Sequence, residues 1–351
     1  DTEHILMQEA ERFKRPILYG IREIEELMAH WIGVPYHQAF EIGPFKITLY
    51  NAGHILGSSI ILIEADGKKI VFSGDLGNSP APIIGSTEII KEADYCVIES
   101  AYGGRLHDPT KAKADIEGVI EDTIKSGGVL MIPSFAMERT QELLFEINNL
   151  VENNRIPQIP IFLDSPLAIK ITEVYKNYKS YFNEKTSELL KQDESLFDFP
   201  GLKKTLTTDE SKAINDVPAP KIIIAGSGMS QGGRILHHEK RYLPDRKSAI
   251  LFIGYQVRGS LGRRILDGEK LVKIHKEEIP VNCKVSSIES YSAHADQRQL
   301  LNWLSPMKLS LKNVFIVQGE EENSFALKQK IINDLAVKAE IPEKGKTYEL
   351  K

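Results

Sequence analysis

The stretch GGVLMIPSFAMERTQELLFEINNLVE, residues 127–152, decides the fold class. Two glycines open an unbroken apolar run from Val129 to Ile132, which a proline closes. A run that short and that apolar is a strand buried on both faces. From Glu138 the period becomes helical. A buried strand followed at once by a helix is the repeating unit of a parallel α/β sheet.

The unit recurs on both sides of this stretch. IPIFLD (159–164) leads into a tyrosine-rich helix through residue 182, KIIIAG (221–226) into GGRILHHEKRYL, and SAILFIG (248–254) into RGSLGRRIL. The flanks have another style. Near the start, two helical patterns, the second carrying Ile21, Ile24, Leu27, Met28 and Trp31, precede the strands FKITLY, SIILIEA and KKIVFSG. The turn DGKK predicts that the last two strands form a hairpin. At the other end, CKVSSI, the loop YSAHAD, the helix QRQLLNWL and the strand NVFIVQG return to that style. The expected organisation is a first α/β domain, residues 1–107 and 281–351, interrupted by a second parallel α/β domain at 108–280.

Of the 351 residues, 42% are hydrophobic and 26% charged, and the net charge is −5. No global basic field announces a nucleic-acid partner, although an acidic protein can carry a basic groove. Cys96 and Cys283 both fall in apolar strands, which implies reduced core cysteines and a cytoplasmic protein without a disulfide framework. No apolar run approaches a membrane span, and the polar start does not read as a signal peptide.

Five polar residues follow apolar strands: His54, Asp75, Glu99, His294 and Gln318. Rigid sheets carry functional residues on such strand-end loops. Imidazole and carboxylate are also the usual zinc donors. Singly, each is as well explained as a satisfied loop residue; together they hint at one convergent site. Three more strand-end loops carry glycines, hydroxyls and arginines suited to phosphate. PSFAMERTQE offers Ser134 and Arg139, AGSGMSQGG offers Ser227, Gly228 and Met229, and YQVRGSLGRR offers Arg258, Ser260, Arg263 and Arg264. Interior pairing of some arginines, for instance with Asp164, is the competing explanation. Tyr102 and Tyr255 suit base stacking or packing, and Tyr175, Tyr178 and Tyr181 form a buried or half-buried helix face.

The segments NAGHILGSS, IVFSGDLG, VIESAYGGRLH, PSFAMERTQELL, IFLDSPLA, IIAGSGMSQGGRILHH, FIGYQVRGSLGRRILDG and SYSAHAD, in this order, resemble the metallo-β-lactamase-fold nucleases of the β-CASP family. The resemblance runs from the first residues to about residue 320. It implies an αββα metallo-β-lactamase sandwich with an inserted β-CASP parallel α/β domain, and zinc-dependent hydrolysis of RNA, single-stranded by expectation, in the cleft between them. His54 would be a zinc ligand, Asp75 the carboxylate bridging two zinc ions, and His294 the general acid, with Glu99 holding its tautomer. A homodimer is compatible with the resemblance, and no membrane association is expected.

Two departures stand out. The family's His-x-His-x-Asp-His motif is absent from these residues, and the expectation is that it lies upstream of Asp1. Where the family commonly carries a histidine before Gly-Glu, the sequence has Gln318, either a weak ligand or a hydrogen-bonding residue. The adjacent His237 and His238 read as structural or substrate-facing. Two rival functions follow: a catalytically impaired nucleic-acid-binding scaffold, and a hydrolase of small molecules.

Overall fold

The computed structural model describes residues 16–107, 112–192, 195–288 and 292–351, with residues 7, 10, 11 and 14 ahead of them. The first of the two N-terminal helical patterns and the start of the expected second domain therefore fall largely outside the described residues.

Two sheets frame the described residues. The first is built from β1 (Phe40–Ile42), β2 (Phe45–Asn51), β3 (Ser59–Ala65), β4 (Lys68–Phe72), β5 (Tyr95–Glu99), β14 (Asn313–Val317) and β15 (Ala339–Glu340), adjacent in that order. It is antiparallel as far as β4 and parallel beyond it. The DGKK hairpin forms as expected, with Asp66 at φ 51° and Gly67 at φ 70°. Positive φ at both central residues matches the right-handed twist of paired strands, and Asp-Gly is the pair that accepts it.

The second sheet joins β6 (Val129–Pro133), β7 (Ile161–Leu163), β8 (Leu202–Lys204), β9 (Lys221–Ala225), β10 (Ala249–Ile253) and β13 (Lys284–Ile288) in the order β13-β10-β6-β9-β7-β8. Every pairing is parallel. All five residues of β6, of β9 and of β10 are buried. Leu130, Ile132, Ile222, Ile224 and Leu251 enter one core, whereas Val129, Met131, Ile223, Ile250 and Phe252 enter another. Successive side chains point to opposite faces of a strand, so two apolar faces demand an unbroken apolar run. Each such side chain contributes about 1.5–3 kcal/mol by leaving water. A short hairpin, β11 (Leu271–Ile274) with β12 (Glu277–Pro280), lies between β10 and β13 in the chain.

Three expectations are adjusted. The strand at Lys284–Ile288, grouped by sequence with the returning segment, pairs with β10 in the second sheet. By sheet membership the chain rejoins the first layer only after residue 288. The helix expected through residue 182 ends at Asn177 and is followed by a single 3-10 turn. Only Tyr175 of its tyrosines is buried, because the break turns Tyr178 and Tyr181 outward. The helix Ile21–Ala29 forms, yet none of its residues is buried. Cys96 and Cys283 are free and buried, as expected. Among the described residues, no helix is long and apolar enough to cross a membrane.

Candidate active site

Four loops of the first layer bring the strand-end residues together. His54 lies between β2 and β3, Asp75 follows β4, Glu99 ends β5 and Gln318 follows β14. His294 arrives from a different part of the chain, just ahead of the helix Gln297–Leu304. Backbone hydrogen bonds stitch its loop to the Asp75 loop: Ala295 N–H donates to Leu76 O at 2.8 Å and Asn78 N–H to Ala293 O at 2.7 Å. Asp296 then fixes where the helix begins. Its Oδ1 accepts from Gln299 N at 2.8 Å while its own N–H donates to Gln299 Oε1 at 3.0 Å, a reciprocal capping pair.

A third constraint was not read from the sequence. His107, within VIESAYGGRLH, donates its N–H to Asp296 Oδ2 at 3.0 Å, and its Nε2 lies 3.1 Å from the carbonyl of His294. Glycine permits the closest approach. A Cβ on Gly77 would lie 1.8 Å from Gly53 O, so the Asp75 and His54 loops touch backbone to backbone.

Donor atoms of His54, Asp75 and His294 all lie within 4.8 Å of one another. His54 Nε2 is 3.7 Å from Asp75 Oδ2, and the His54 and His294 rings are 4.4 Å apart. Burial, with His294 beside it, pushes the His54 imidazole down to about 4, outweighing Asp75. A neutral imidazole is the form that binds metal. His54 Nδ1 is buried and makes no close hydrogen bond, and the Ala293 backbone acts on the ring only as a minor opposing influence.

His294 takes the opposite character. Burial alone would lower its pKa, but the hydrogen bond to Glu99 and the charge of that carboxylate prevail and raise it. Nδ1 of His294 stands 3.0 Å from Glu99 Oε2 and 3.2 Å from Oε1, leaving Nε2 as the ring atom for outside partners. Glu99 is fully buried and also accepts from Leu76 N at 2.6 Å. Its own pKa is raised by burial, against the opposing pull of His294. Gln318 sits at φ 55° and donates from Nε2 to Asp75 Oδ1 at 2.5 Å. It is thus a hydrogen-bond donor to the Asp75 carboxylate.

The cluster opens onto a cleft of about 580 Å³ whose other wall comes from the second layer. Phe135, Met137 to Arg139, Met229, Ile253 to Tyr255 and Val257 line that wall. These residues lie at or just beyond the carboxyl ends of β6, β9 and β10, which are neighbours in the sheet. Chain order reverses there, the place where open α/β sheets form ligand crevices. Of the residues read as substrate-facing, Arg139 and Met229 line the cleft. Arg139 is held by Glu142 at 2.6 Å.

The others have local partners. Ser134 bonds to Thr140 Oγ1 at 3.0 Å, and Ser227 Oγ accepts from the N–H groups of Gln231 and Gly232. Gly228 lies against the Phe135 ring, which a Cβ would approach within 2.6 Å. Ser260 caps the helix Leu261–Leu266 by accepting from Arg263 N at 3.1 Å. Arg263 pairs with Asp267, Arg264 with Glu269, and exposed Arg258 lies near Glu320 and Glu322. Interior pairing does occur at Asp164, which binds Arg234 at 2.8 Å and His238 at 2.7 Å, making His238 structural. Tyr102 is buried and Tyr255 half-buried, their rings 5.7 Å apart. The exposed aromatic at the cleft is Phe135.

A histidine–carboxylate cluster at strand ends, facing a cleft between two α/β layers, defines a metal-dependent hydrolase. The Beta-Casp domain matches residues 140–265, and the Zn-dependent metallo-hydrolase RNA specificity domain matches residues 278–342. The chain is 35% identical over 324 residues to Ribonuclease TTHA0252 of Thermus thermophilus, across 92% of this chain and 74% of that protein. It is 34% identical over 333 residues to an RNase J-like protein of Methanocaldococcus jannaschii, across 93% of this chain and 76% of that protein. The chain belongs to the β-CASP family of metallo-β-lactamase-fold nucleases. It is also 30% identical over 347 residues to Transcription termination factor FttA of Pyrococcus horikoshii, of whose length it spans 53%.

Proposed function

We propose that the protein hydrolyses RNA phosphodiester bonds in the cleft between its two layers, with zinc held at His54 and Asp75 and His294 beside it as general acid. The observation that carries this is the split in character of two adjacent histidines. His54 is kept neutral, its buried Nδ1 making no close hydrogen bond, whereas His294 is held on Glu99 with its pKa raised. The neutral imidazole and the Asp75 carboxylate suit a borderline-soft divalent ion. Two zinc ions bound there would supply a hydroxide nucleophile and offset charge on the phosphate oxygens.

The remaining steps belong to side chains of this chain. Glu99 accepts from Nδ1 of His294 and fixes the ring in one orientation. His294, protonated, donates from Nε2 to the leaving oxygen of the broken phosphodiester. Arg139, on the opposite wall, contributes positive charge toward the phosphate backbone. Single-stranded RNA suits a cleft of this size better than a duplex.

The test is cleavage of a labelled single-stranded RNA by the purified protein, with and without a chelator. Chelation should abolish cleavage and added zinc restore it. His294→Ala should lower kcat by about 10²–10⁴ while RNA binding is retained. RNA binding with no chelator-sensitive cleavage would favour the scaffold reading instead, to which the hydrogen bond from Gln318 to Asp75 lends support.

A further inference from the structure

A chain of hydrogen bonds from the second layer ends two residues away from His54. Glu138 precedes the helix Arg139–Glu152 at φ 59°, where non-glycine residues are uncommon, and its side chain does not cap that helix. Instead, its Oε2 accepts from the hydroxyl of Tyr175. The hydroxyl oxygen of Tyr175 accepts in turn from the N–H of Leu56 at 3.3 Å. Glu138 and Tyr175 are each 1% exposed. The Leu56 side chain packs against the core of the second layer, although its backbone belongs to the β2–β3 loop of the first.

The rest of that loop is anchored to the first layer. Ala52 O accepts from Gly77 N at 2.8 Å and from Thr87 Oγ1 at 2.9 Å. The N–H groups of His54 and Ile55 donate to Ser58 Oγ at 3.1 and 3.2 Å. His54 therefore sits on a short loop whose base is fixed by one layer and whose tip is fixed by the other. A buried carboxyl and a buried hydroxyl contribute little to stability that an apolar pair would not. What they supply here is a directional contact to one N–H.

We propose that Glu138 and Tyr175 are positioning residues that clamp the His54 loop to the second layer, so that metal binding at His54 and Asp75 depends on contact between the layers. This rests on the metal-binding reading given above. Neither residue is a candidate metal ligand, and both side chains are almost wholly buried. They act through the placement of the His54 ring, as outer-shell partners of metal ligands do.

The test uses the full chain and Co(II) as a spectroscopic probe, with His54→Ala as control. Tyr175→Phe keeps the ring and its packing and removes the hydroxyl that accepts from Leu56 and donates to Glu138. Co(II) should bind about tenfold more weakly to it with altered visible bands, at a temperature where the metal-free variant is still fully folded by its own unfolding curve. Glu138→Leu should behave like Tyr175→Phe, and Glu138→Gln, whose amide oxygen still accepts from Tyr175, should restore affinity and bands. Should one of these variants fail to fold, the other carries the comparison. Parent-like affinity and bands in both Tyr175→Phe and Glu138→Leu, with binding lost in His54→Ala, would overturn the clamp alone. Parent-like binding in His54→Ala would overturn the metal site, and the clamp with it.

Discussion

Glu99 and His294 are 195 residues apart in the chain, and their side chains meet at 3.0 Å. The carboxylate raises the pKa of an imidazole that burial alone would lower. Glu99→Gln removes that support, so the pKa of His294 falls and less of it is protonated at neutral pH. The alkaline limb of the kcat profile should move to lower pH, with kcat at pH 8 falling about tenfold for each unit of displacement. Linkage gives a second readout. A folded-state pKa raised above the unfolded value contributes stability that is present below the unfolded value, about 6.5, and is lost as pH rises through the folded one. Denaturant titrations from pH 6 to 9 should show this decline in the parent and not in Glu99→Gln. Identical kcat profiles would remove His294 from the acid role.

Gln318 holds a left-handed backbone conformation and donates to Asp75. Histidine tolerates positive φ better than most side chains, and its nitrogen is a far better donor to zinc than an amide oxygen. Gln318→His should therefore bind zinc more tightly, by about tenfold on the scale of outer-ligand effects, and should raise chelator-sensitive cleavage. Calorimetric titration of the apo protein reads this directly. Unchanged affinity and stoichiometry would place residue 318 outside the metal site.

Gly77 offers a test of the loop junction itself. Its Cβ position lies 1.8 Å from Gly53 O, and backbone cannot move aside as a flexible side chain can. Gly77→Ala should cost about 2–4 kcal/mol, in the range of severe core substitutions, and should weaken metal binding because both flanking loops carry candidate ligands. Gly268→Ala serves as a comparison, since nothing lies within 4 Å of a Cβ there and its φ of 92° leaves backbone strain as the only penalty. A thermal midpoint for Gly77→Ala no lower than that of Gly268→Ala would contradict the close approach.

Asp164 ties together parts of the second layer through His238, Arg234, Ser211 and Thr205. Burial would raise its pKa, yet these hydrogen bonds prevail and hold it far below the usual carboxylate range. A depressed pKa contributes stability above the unfolded value, about 3.9, and that stability is lost as pH falls below it. Asp164→Asn should lose about 3–5 kcal/mol, as when one partner of a buried pair is removed, and should unfold with a flatter acid limb. A loss under about 1 kcal/mol, the size of a surface ion pair, would mean that water already screens this group.

The strand–helix units were legible because burial on two faces writes itself into composition: Ile222 to Ala225 and Ala249 to Ile253 admit no polar residue. The strand-end positions of His54, Asp75 and Glu99 were legible for the same reason, since each follows an apolar run. Local pattern carries no record of partners across long sequence separations. The contact of His107 with His294, and of Leu56 with Tyr175, had no such signal. Ser260 shows a different ambiguity. A serine at a glycine-rich turn before a helix has the same local sequence whether it meets a phosphate or caps the helix, and here it caps. At β13, too, the pattern that marked the strand could not name its sheet, because parallel edge strands are assigned by pairing alone.

Phe135 is the aromatic that the cleft leaves open. It is 41% exposed, beside Met137 at 40% and Val257 at 45%, and all three line the wall opposite the metal cluster. Its ring lies against Gly228, where a Cβ would intrude to 2.6 Å, so that side is braced while the residue stays partly open to the cleft. Stacking of a base on such a ring is worth about 1–3 kcal/mol and is indifferent to which base is present. Phe135→Ala should raise KM for single-stranded RNA by roughly 5- to 150-fold, the same free energy expressed as a ratio. Phe135→Trp should keep KM near the parent value. Hydrolysis of bis(p-nitrophenyl) phosphate, which has no nucleobase, should separate stacking from damage to the metal cluster. If Phe135→Ala slows both substrates equally, the ring supports the fold of the wall, and RNA does not stack there.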